Sequence, residues 1–253
     1  MCRSCGCGKR ARTKNSGDGH SHRNGEHSHH FRREIVEIRS SALADNDKRA
    51  AQNRRWLEAR KIVALNFISS PGAGKTTLLE STLDRLRGRI RCAVIAGDVQ
   101  TDRDARRLSG RGAPVRQIET LGACHLDAER VGKILPAVSK KGVRLLFIEN
   151  VGNLVCPVAY DLGEDMKIAI LSVVEGEDKP LKYPALFSAA SVAVITKIDL
   201  IQAAGWNRTQ CLKNIRKVQP RMRIFEVSAR TGQGMDEWIR FLTELAGQAS
   251  ATT

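Results

Sequence analysis

The stretch that decides the fold is Ser69-Ser70-Pro71-Gly72-Ala73-Gly74-Lys75-Thr76-Thr77. It follows the apolar segment Ile62–Ile68, which we predict to be a strand, and it opens the amphipathic segment Thr76–Leu86, which we predict to be a helix. A glycine-rich turn between a strand and a helix is the setting of a P-loop. The strict motif begins with glycine, and here that position is Ser69. Because Gly74-Lys75-Thr76 and the position between a strand and a helix match the motif, we predict that this loop binds the phosphates of a nucleotide.

Each residue type in the loop has a chemical reason. Gly72 and Gly74 allow the backbone to approach a polyphosphate, and successive N–H groups, including those of Ala73 and Thr77, point toward it. The N-terminus of the following helix adds the positive end of its dipole. We expect Lys75 to reach the β- and γ-phosphates and the Thr76 hydroxyl to ligate Mg²⁺.

Apolar and amphipathic segments alternate through the rest of the chain. The other predicted strands are Cys92–Ala96, Leu145–Ile148, Ile168–Val174, Val192–Thr196 and Ile224–Val227, and the other predicted helices are Asp127–Ser139, Trp206–Val218 and Met235–Leu245. This alternation predicts an α/β fold of the P-loop NTPase class, with a mostly parallel twisted sheet flanked by helices. Pro136 should disturb the end of its helix.

Composition divides the chain into three parts. We predict a flexible arm over residues 1–31, a helical segment over 32–60 and a P-loop domain over 61–248. The net charge of +15 is spread along the chain and only 4% of residues are aromatic, which favours a solvated charged surface over nucleic-acid binding. No apolar run is long enough for a membrane span, and the basic N-terminus has no apolar signal core. We expect a cytoplasmic protein whose seven cysteines are thiols or metal ligands.

We predict that the nucleotide base is read by the motif Thr196-Lys197-Ile198-Asp199, at the end of a predicted strand. The Asp199 carboxylate can accept hydrogen bonds from N1–H and the exocyclic amine of guanine, whereas adenine has no donor at N1 and would leave the carboxylate unpaired. The Lys197 stem can lie along the ring. Ser228-Ala229 follows a later strand, and the two motifs in this order predict GTP and GDP as the nucleotides.

Two acids are candidates for the Mg²⁺ site. The strand Leu145–Ile148 is followed by Glu149-Asn150-Val151-Gly152, so Glu149 could hold Mg²⁺ directly or through water and the Gly152 N–H could contact the γ-phosphate. Asp98 ends another strand, and either acid could instead cap a helix or face solvent. No glutamine next to Gly152 is available to orient water, so we expect a slow intrinsic GTPase in which Lys75, Thr76, Asp98 and Glu149 are catalytic.

The N-terminus carries soft metal ligands. Cys2, Cys5 and Cys7 are close together on a glycine-containing backbone that can fold around an ion. With the N-terminal amine they form a set suited to square-planar Ni²⁺, whereas Zn²⁺ would prefer a tetrahedron completed by a histidine. Five of the chain's six histidines follow between His20 and His30, a pattern of metal binding or of a tag or soluble linker.

A second group of soft ligands lies inside the P-loop domain. Cys124 and His125 precede a predicted helix, and Cys156 lies six residues beyond Asn150, next to the proposed γ-phosphate contact. A Cys-His pair by itself is more often structural. Two ligands from each chain would complete a site of four in a two-fold dimer, and nucleotide could then influence the metal through a few residues of chain.

Together these residues resemble the hydrogenase nickel-insertion GTPase family HypB, from Cys2 to about Gly247. The motifs that carry the resemblance are Cys2-x-x-Cys5-x-Cys7, residues 69–77, Gly-Ala-Cys-His-Leu-Asp (122–127), Glu-Asn-Val-Gly-Asn-Leu-Val-Cys-Pro (149–157), Glu-Gly-Glu-Asp-Lys-Pro (175–180) and Thr-Lys-x-Asp. The resemblance implies a domain that dimerises around nucleotide and delivers Ni²⁺ to [NiFe]-hydrogenase, with the other maturation proteins and the hydrogenase large subunit as partners.

The resemblance also implies site residues. It implies a tight nickel site at Cys2, Cys5 and Cys7 and a weaker Ni²⁺ or Zn²⁺ site at the dimer interface, made by Cys124 and His125 with Cys156 as a further ligand. It implies that Lys179 approaches nucleotide across the dimer. The resulting hypothesis is a GTP-switched nickel metallochaperone. The alternatives are a urease-type nickel-insertion GTPase, a nickel store whose Cys/His arm is the function, and an ATP-dependent kinase, against which Asp199 argues.

Overall fold

The computed structural model describes residues 26–98, 103–120 and 122–251. Its strands are β1 (Val63–Ser69), β2 (Cys92–Asp98), β3 (Val115–Glu119), β4 (Leu145–Glu149), β5 (Met166–Ser172), β6 (Val192–Thr196) and β7 (Arg223–Glu226). Its α-helices are α1 (Glu26–Glu58), α2 (Lys75–Leu86), α3 (Arg103–Leu108), α4 (Ala128–Val138), α5 (Cys156–Ala159), α6 (Lys179–Lys182), α7 (Pro184–Ala189), α8 (Arg208–Val218) and α9 (Met235–Ala251).

The strands form one parallel sheet in the order β3-β2-β4-β1-β5-β6-β7. The β1 residues are almost entirely buried, because helices cover both faces of the sheet. Phe67 and Phe147 pack with Trp238 of α9 on one face. In a parallel sheet all strands end at the same edge, so the residues that follow β1, β2, β4 and β6 lie together there.

The C-terminal half of α1 is fixed to the domain by buried amides. Asn46 Oδ1 accepts from the backbone N–H of Ala128 at 2.9 Å, and Asn53 Nδ2 donates to the Ala128 carbonyl at 2.8 Å. Asn53 also donates to the Leu162 carbonyl at 3.0 Å. The start of α4, three residues after His125, is therefore held by α1.

The α/β fold with a mostly parallel sheet is confirmed. Strand β3 and the short helices α3, α5, α6 and α7 were not predicted. Helix α1 begins at Glu26, so the last six residues of the predicted flexible arm are helical, and α4 ends two residues after Pro136. Among the helices in the described part of the chain, none combines the length and the apolar character that a membrane crossing requires.

The predicted strand Ile168–Val174 was placed two residues too far along the chain. Its last two residues, with Glu175, form a 3₁₀ turn (Val173–Glu175) after β5. The turn is capped from both sides, because Ser172 Oγ accepts from the N–H of Val174 while the Glu175 carboxylate accepts from the N–H of Ser172.

Candidate nucleotide and metal site

The glycine-rich loop is tied to the base-reading motif by two hydrogen bonds. Thr196 Oγ1 donates to the Ala73 carbonyl at 2.5 Å, and Lys197 Nζ donates to the Gly72 carbonyl at 2.7 Å. Gly72 and Gly74 have φ values of 76° and 89°, in the left-handed region that favours glycine. Lys197 also has a positive φ, 58°. The structure thus brings the predicted phosphate and base segments to one edge of the sheet.

Glu149 and Thr76 meet at the start of α2. Thr76 Oγ1 donates to Glu149 Oε1 at 2.7 Å, while the buried Glu149 Oε2 has no hydrogen-bond partner within the described part of the chain. Burial raises the pKa of Glu149, and the nearby Lys75 ammonium and the Thr76 hydroxyl oppose that rise. Because Mg²⁺ prefers oxygen ligands, a hydroxyl beside an unpaired buried carboxylate oxygen fits the ion that the sequence predicts.

Lys75 is partly buried near Glu149, and its ammonium lies 3.4 Å from Ser69 Oγ. Burial lowers the pKa of Lys75, and the carboxylates of Glu149, Asp104 and Asp98 partly offset this effect. Asp98 ends β2, so the structure places both acids of the Mg²⁺ prediction near the lysine of the loop.

Asp104 is a candidate residue that sequence reasoning missed. It lies in the first turn of α3, and its charge acts on both Lys75 and Glu149. From the same helix, Arg107 donates to Thr77 Oγ1 at 3.0 Å and to Glu80 at 2.5 Å. The sequence feature that could have indicated Asp104 is its position six residues after Asp98, in the segment that follows β2.

Asp199 lies in a 3₁₀ turn (Ile198–Leu200) that directly follows Lys197. Its carboxylate is mostly buried, 3.9 Å from the Arg230 guanidinium. The buried Ser228 shapes the facing turn, because its hydroxyl accepts from the N–H of Thr231 at 3.1 Å. The N–H of Ile198 donates to the carbonyl of Val227 at 3.3 Å, so the turn of Asp199 lies next to Ser228 and Ala229.

Lys179 lies near the P-loop of its own chain. Its ammonium is 3.3 Å from the Glu175 carboxylate, which also accepts a short hydrogen bond from the Ser70 hydroxyl. The approach of Lys179 to nucleotide across a dimer stays a prediction, since the structure contains one chain.

Gly152 lies against the P-loop. A Cβ atom built on Gly152 would be 3.0 Å from Pro71 Cγ and 3.2 Å from Pro71 N. The segment after Glu149 therefore packs closely on the loop that would hold the phosphates. Cys156 lies four residues after Gly152 in this segment.

The soft ligands Cys124, His125 and Cys156 come together. One ligand atom from each of them lies within 4.8 Å of the other two, and Cys124 Sγ is 3.7 Å from His125 Nδ1. The half-buried His125 ring stacks on Tyr160, with ring centroids 3.7 Å apart. Burial lowers the pKa of His125, which favours the neutral imidazole that binds metals. By contrast Cys2, Cys5 and Cys7 lie outside the described residues.

Comparison with known proteins identifies the family to which the chain belongs. The family described as "CobW/HypB/UreG, nucleotide-binding domain" matches residues 64–226. The hydrogenase maturation factor HypB of Escherichia coli (strain K12) is 47% identical over 210 residues, which are 83% of this chain and 72% of that protein. This chain belongs to the HypB family. The hydrogenase/urease maturation factor HypB of Helicobacter pylori (strain 26695) is 38% identical over 213 residues, covering 83% of this chain and 87% of that protein.

Solved HypB structures resemble the chain in the same region. HypB from Archaeoglobus fulgidus superposes with a TM-score of 0.75 at 36% identity, covering 80% of this chain and 99% of that one. HypB from Helicobacter pylori in complex with nickel superposes with a TM-score of 0.76 at 38% identity, covering 81% and 96%. The predicted P-loop NTPase fold is thereby confirmed.

Proposed function

We propose that this HypB-family chain is a GTP-hydrolysing nickel metallochaperone that binds Ni²⁺ and delivers it during [NiFe]-hydrogenase maturation. The observation that carries the proposal is the grouping of Cys124, His125 and Cys156 within 4.8 Å of one another. Cys156 lies seven residues after Glu149, the acid that faces the P-loop hydroxyl. Soft ligands and a nucleotide site therefore share one short segment of backbone.

The nucleotide part of the proposal is the binding of GTP and GDP. The backbone of residues 72–77 and the Lys75 ammonium bind the phosphates, the Gly152 N–H contacts the γ-phosphate, and Asp199 accepts from guanine N1–H and the exocyclic amine. Lys197 lies along the base, and Ser228 and Ala229 complete the base pocket. Thr76, Glu149 and Asp98 would hold Mg²⁺, which supplies positive charge to the phosphates when bound.

Hydrolysis converts GTP and water into GDP and inorganic phosphate. Water attacks the γ-phosphorus, the bond from that phosphorus to the β–γ bridging oxygen breaks with its electron pair passing to the β-phosphate of GDP, and the proton that water loses passes to the released phosphate or to solvent. Lys75 stabilises that charge because its ammonium is held in a site shielded from solvent, where charge interactions are strong. The sequence next to Gly152 offers no glutamine to orient the water, so the intrinsic rate is slow.

The metal part of the proposal has two sites. Cys2, Cys5 and Cys7 capture Ni²⁺ tightly, and Cys124, His125 and Cys156 form a weaker Ni²⁺ or Zn²⁺ site that a two-fold dimer completes. Lys179 acts at the same interface. GTP favours the dimer, and hydrolysis releases the metal to other hydrogenase maturation proteins and the hydrogenase large subunit.

A urease role is a second candidate. The 38% identical relative from Helicobacter pylori carries both hydrogenase and urease in its name, whereas the 47% identical relative from Escherichia coli carries hydrogenase alone. Restoring the activity of each enzyme in a host that lacks its own HypB distinguishes the two roles. Recovery of hydrogenase without urease supports the proposal, and recovery of urease alone supports the alternative.

The decisive experiment is a Ni²⁺ titration of the reduced full-length chain with GDP and with a non-hydrolysable GTP analogue. Cys2→Ala should remove a tight site, and Cys124→Ala should remove a weaker site whose affinity depends on the nucleotide. Cys211→Ala is the matched control, because this buried thiol lies in α8 and its burial raises its pKa to about 12. Nickel binding indifferent to nucleotide would leave a nickel store instead.

A further inference from the structure

Three buried polar side chains form a continuous line inside the domain. Asn66 in β1, Asn150 after β4 and Glu164 before β5 are 0%, 1% and 6% exposed. Asn66 Nδ2 donates to Glu164 Oε1 at 3.1 Å, and Asn150 Nδ2 donates to Asn66 Oδ1 at 3.1 Å. Buried polar groups are costly when unpaired, so a change at one member disturbs its neighbours. The nucleotide chemistry proposed above makes no use of these three side chains.

One end of the line holds the backbone of the proposed metal ligands. Asn150 Oδ1 accepts from the N–H of Leu126 at 3.3 Å, and Leu126 directly follows His125. Asn153 acts in parallel, because its Nδ2 donates to the Cys124 carbonyl at 3.2 Å while its Oδ1 accepts from the N–H of Val155 at 2.9 Å. Two asparagines of one segment thus hold the Cys124-His125 loop beside Cys156.

The other end of the line reaches the part of the domain that is fixed by α1. Glu164 Oε2 accepts from the N–H of Leu162 at 2.6 Å, and Lys167 Nζ lies 3.1 Å from Glu164 Oε1. The Leu162 carbonyl is bonded in turn by Asn53 of α1. The line therefore connects the region packed against α1 to the Cys124-His125 loop. Hydrogen bonds to rigid, packed structure restrict the positions that this loop can take.

We propose that Asn66, Asn150 and Glu164 are positioning residues for the metal cluster of Cys124, His125 and Cys156. This inference rests on the proposed function, because it concerns the ligands of the metal site proposed there. Bonds from Zn²⁺ to sulfur and nitrogen are about 2.0–2.3 Å long, so ligands on two separate segments must be brought together with little freedom. Asn150 also directly follows Glu149, which accepts from the P-loop residue Thr76, so the line is joined to the nucleotide site through one peptide bond.

The test uses the full chain with Cys2→Ala, Cys5→Ala and Cys7→Ala, so that the arm offers no competing thiolate. Co²⁺ serves as the probe, because its absorption bands report thiolate ligation and coordination geometry. The variant is Asn66→Leu, which keeps the side-chain size and removes both hydrogen bonds. Thr82→Val is the matched control, since it removes a buried hydroxyl that accepts from Trp238 Nε1 at 3.0 Å on the other face of the sheet.

We expect Asn66→Leu to weaken Co²⁺ binding by about 10–100-fold and to change the band positions, as for other residues that orient metal ligands. Thr82→Val should lower thermal stability while leaving affinity and spectrum unchanged. Asn66→Ser, which keeps one donor and acceptor, should recover part of the affinity, and it replaces Asn66→Leu if that variant does not fold.

The outcomes separate the two proposals. If the starting protein binds Co²⁺ through Cys124 and Asn66→Leu behaves like Thr82→Val, the positioning role is wrong and the metal site stands. If the starting protein binds no Co²⁺ that Cys124→Ala removes, the proposed metal site fails and the positioning role fails with it.

Discussion

At the scale of single residues, the nucleotide site brings charges together that the protein alone does not fully compensate. Glu149 has one carboxylate oxygen bonded to Thr76 and the other buried without a partner among the described residues. Burial shifts the pKa values of Glu149 and Lys75 in opposite directions, each toward the neutral form. Phosphates and a cation would supply the missing partners. The uncompensated charges therefore lower the free energy of unfolding of the nucleotide-free protein, and ligand binding should restore it.

The cost at Glu149 gives a prediction about pH. Because burial raises the pKa of this acid, its ionised form destabilises the folded protein, beginning as the pH rises above about 4.3 and complete above the raised pKa. Glu149→Gln should therefore raise the melting temperature of the nucleotide-free protein at pH 8, by about 2–4 °C for each kcal/mol relieved. Near pH 4 the two proteins should melt alike.

Addition of Mg²⁺ and GTP should reverse that order, because the neutral amide introduced by Glu149→Gln is a weaker ligand for the cation than the native carboxylate. Thermal denaturation at both pH values, with and without Mg²⁺ and GTP, measures all of these effects. A variant that is less stable than the parent at pH 8 without ligand would contradict the explanation.

The base-reading acid gives a second prediction at this scale. Asp199→Asn should weaken GTP binding by about 100-fold or more, since two hydrogen bonds to a charged acceptor are each worth about 1.5–3 kcal/mol. The same change should improve binding of xanthosine triphosphate, whose carbonyl in place of the guanine amine can accept from the new amide. Titration with fluorescent analogues of both nucleotides measures the exchange.

Asp236→Asn is the control for this experiment, because Asp236 is highly exposed and pairs with Arg85 at 3.0 Å. It should leave both affinities unchanged. Equal losses of GTP affinity in the two variants would show that Asp199 does not read the base.

Sequence reasoning places candidate residues best where a motif is local. Lys75 and Asp199 could be picked out because a phosphate loop and a base-reading turn each need a few neighbouring residues in a fixed order, and their roles toward nucleotide stay predictions. Asp104 and Asn66 were missed for different reasons. Asp104 acts through space from a short helix, and Asn66 is a polar residue inside an apolar strand, whose partners come from residues about 84 and 98 positions away.

At the scale of elements, the long apolar strands and amphipathic helices were predictable and the edge of the sheet was not. Strand β3 reads Val-Arg-Gln-Ile-Glu, and its only buried residue is Ile118. Such a strand carries little apolar pattern of its own, and it forms because β2 pairs with it. The short helices α6 and α7 were missed because each is shorter than the two turns that a helical pattern needs.

The contact between α1 and the domain gives a prediction about glycine. Gly163 has a φ of 90°, and a Cβ atom built on it would be 2.7 Å from the Ala50 carbonyl of α1. Gly88 has a φ of 76° with no atom within 4 Å of such a Cβ. A substitution at Gly88 therefore measures the cost of the positive φ alone, without a steric clash. Gly88→Ala should cost about 1–2 kcal/mol of unfolding free energy, and Gly163→Ala about 1–3 kcal/mol more.

Chemical denaturation measures both costs, and hydrogen exchange shows where they act. Gly163→Ala should speed exchange in the C-terminal half of α1, whereas Gly88→Ala should not. Equal costs in the two variants would mean that α1 does not pack against this loop.

At the scale of the whole molecule, the exposed apolar side chains give a prediction about the proposed dimer. Among the described residues, the large apolar side chains that are most exposed are Val155 at 64%, Val174 at 52% and Leu181 at 42%. Val155 precedes Cys156, and Val174 precedes Glu175, which contacts the P-loop Ser70. Because Val155 and Val174 are exposed beside two parts of the proposed site, they are the apolar side chains that we expect the proposed dimer to cover.

The last prediction follows from this surface. Mixed with a GTP analogue and Ni²⁺, the chain should form a dimer, and Val155→Asp should weaken that dimer by about tenfold or more, because it places a charge in a buried apolar contact. Ala203→Asp is the control, since Ala203 is exposed in the turn between β6 and α8. Light scattering across a range of concentrations measures both variants. Equal dimer formation by Val155→Asp and the parent chain would exclude the face beside Cys156 as the interface, and the four-ligand site expected there would then require a different arrangement of the two copies.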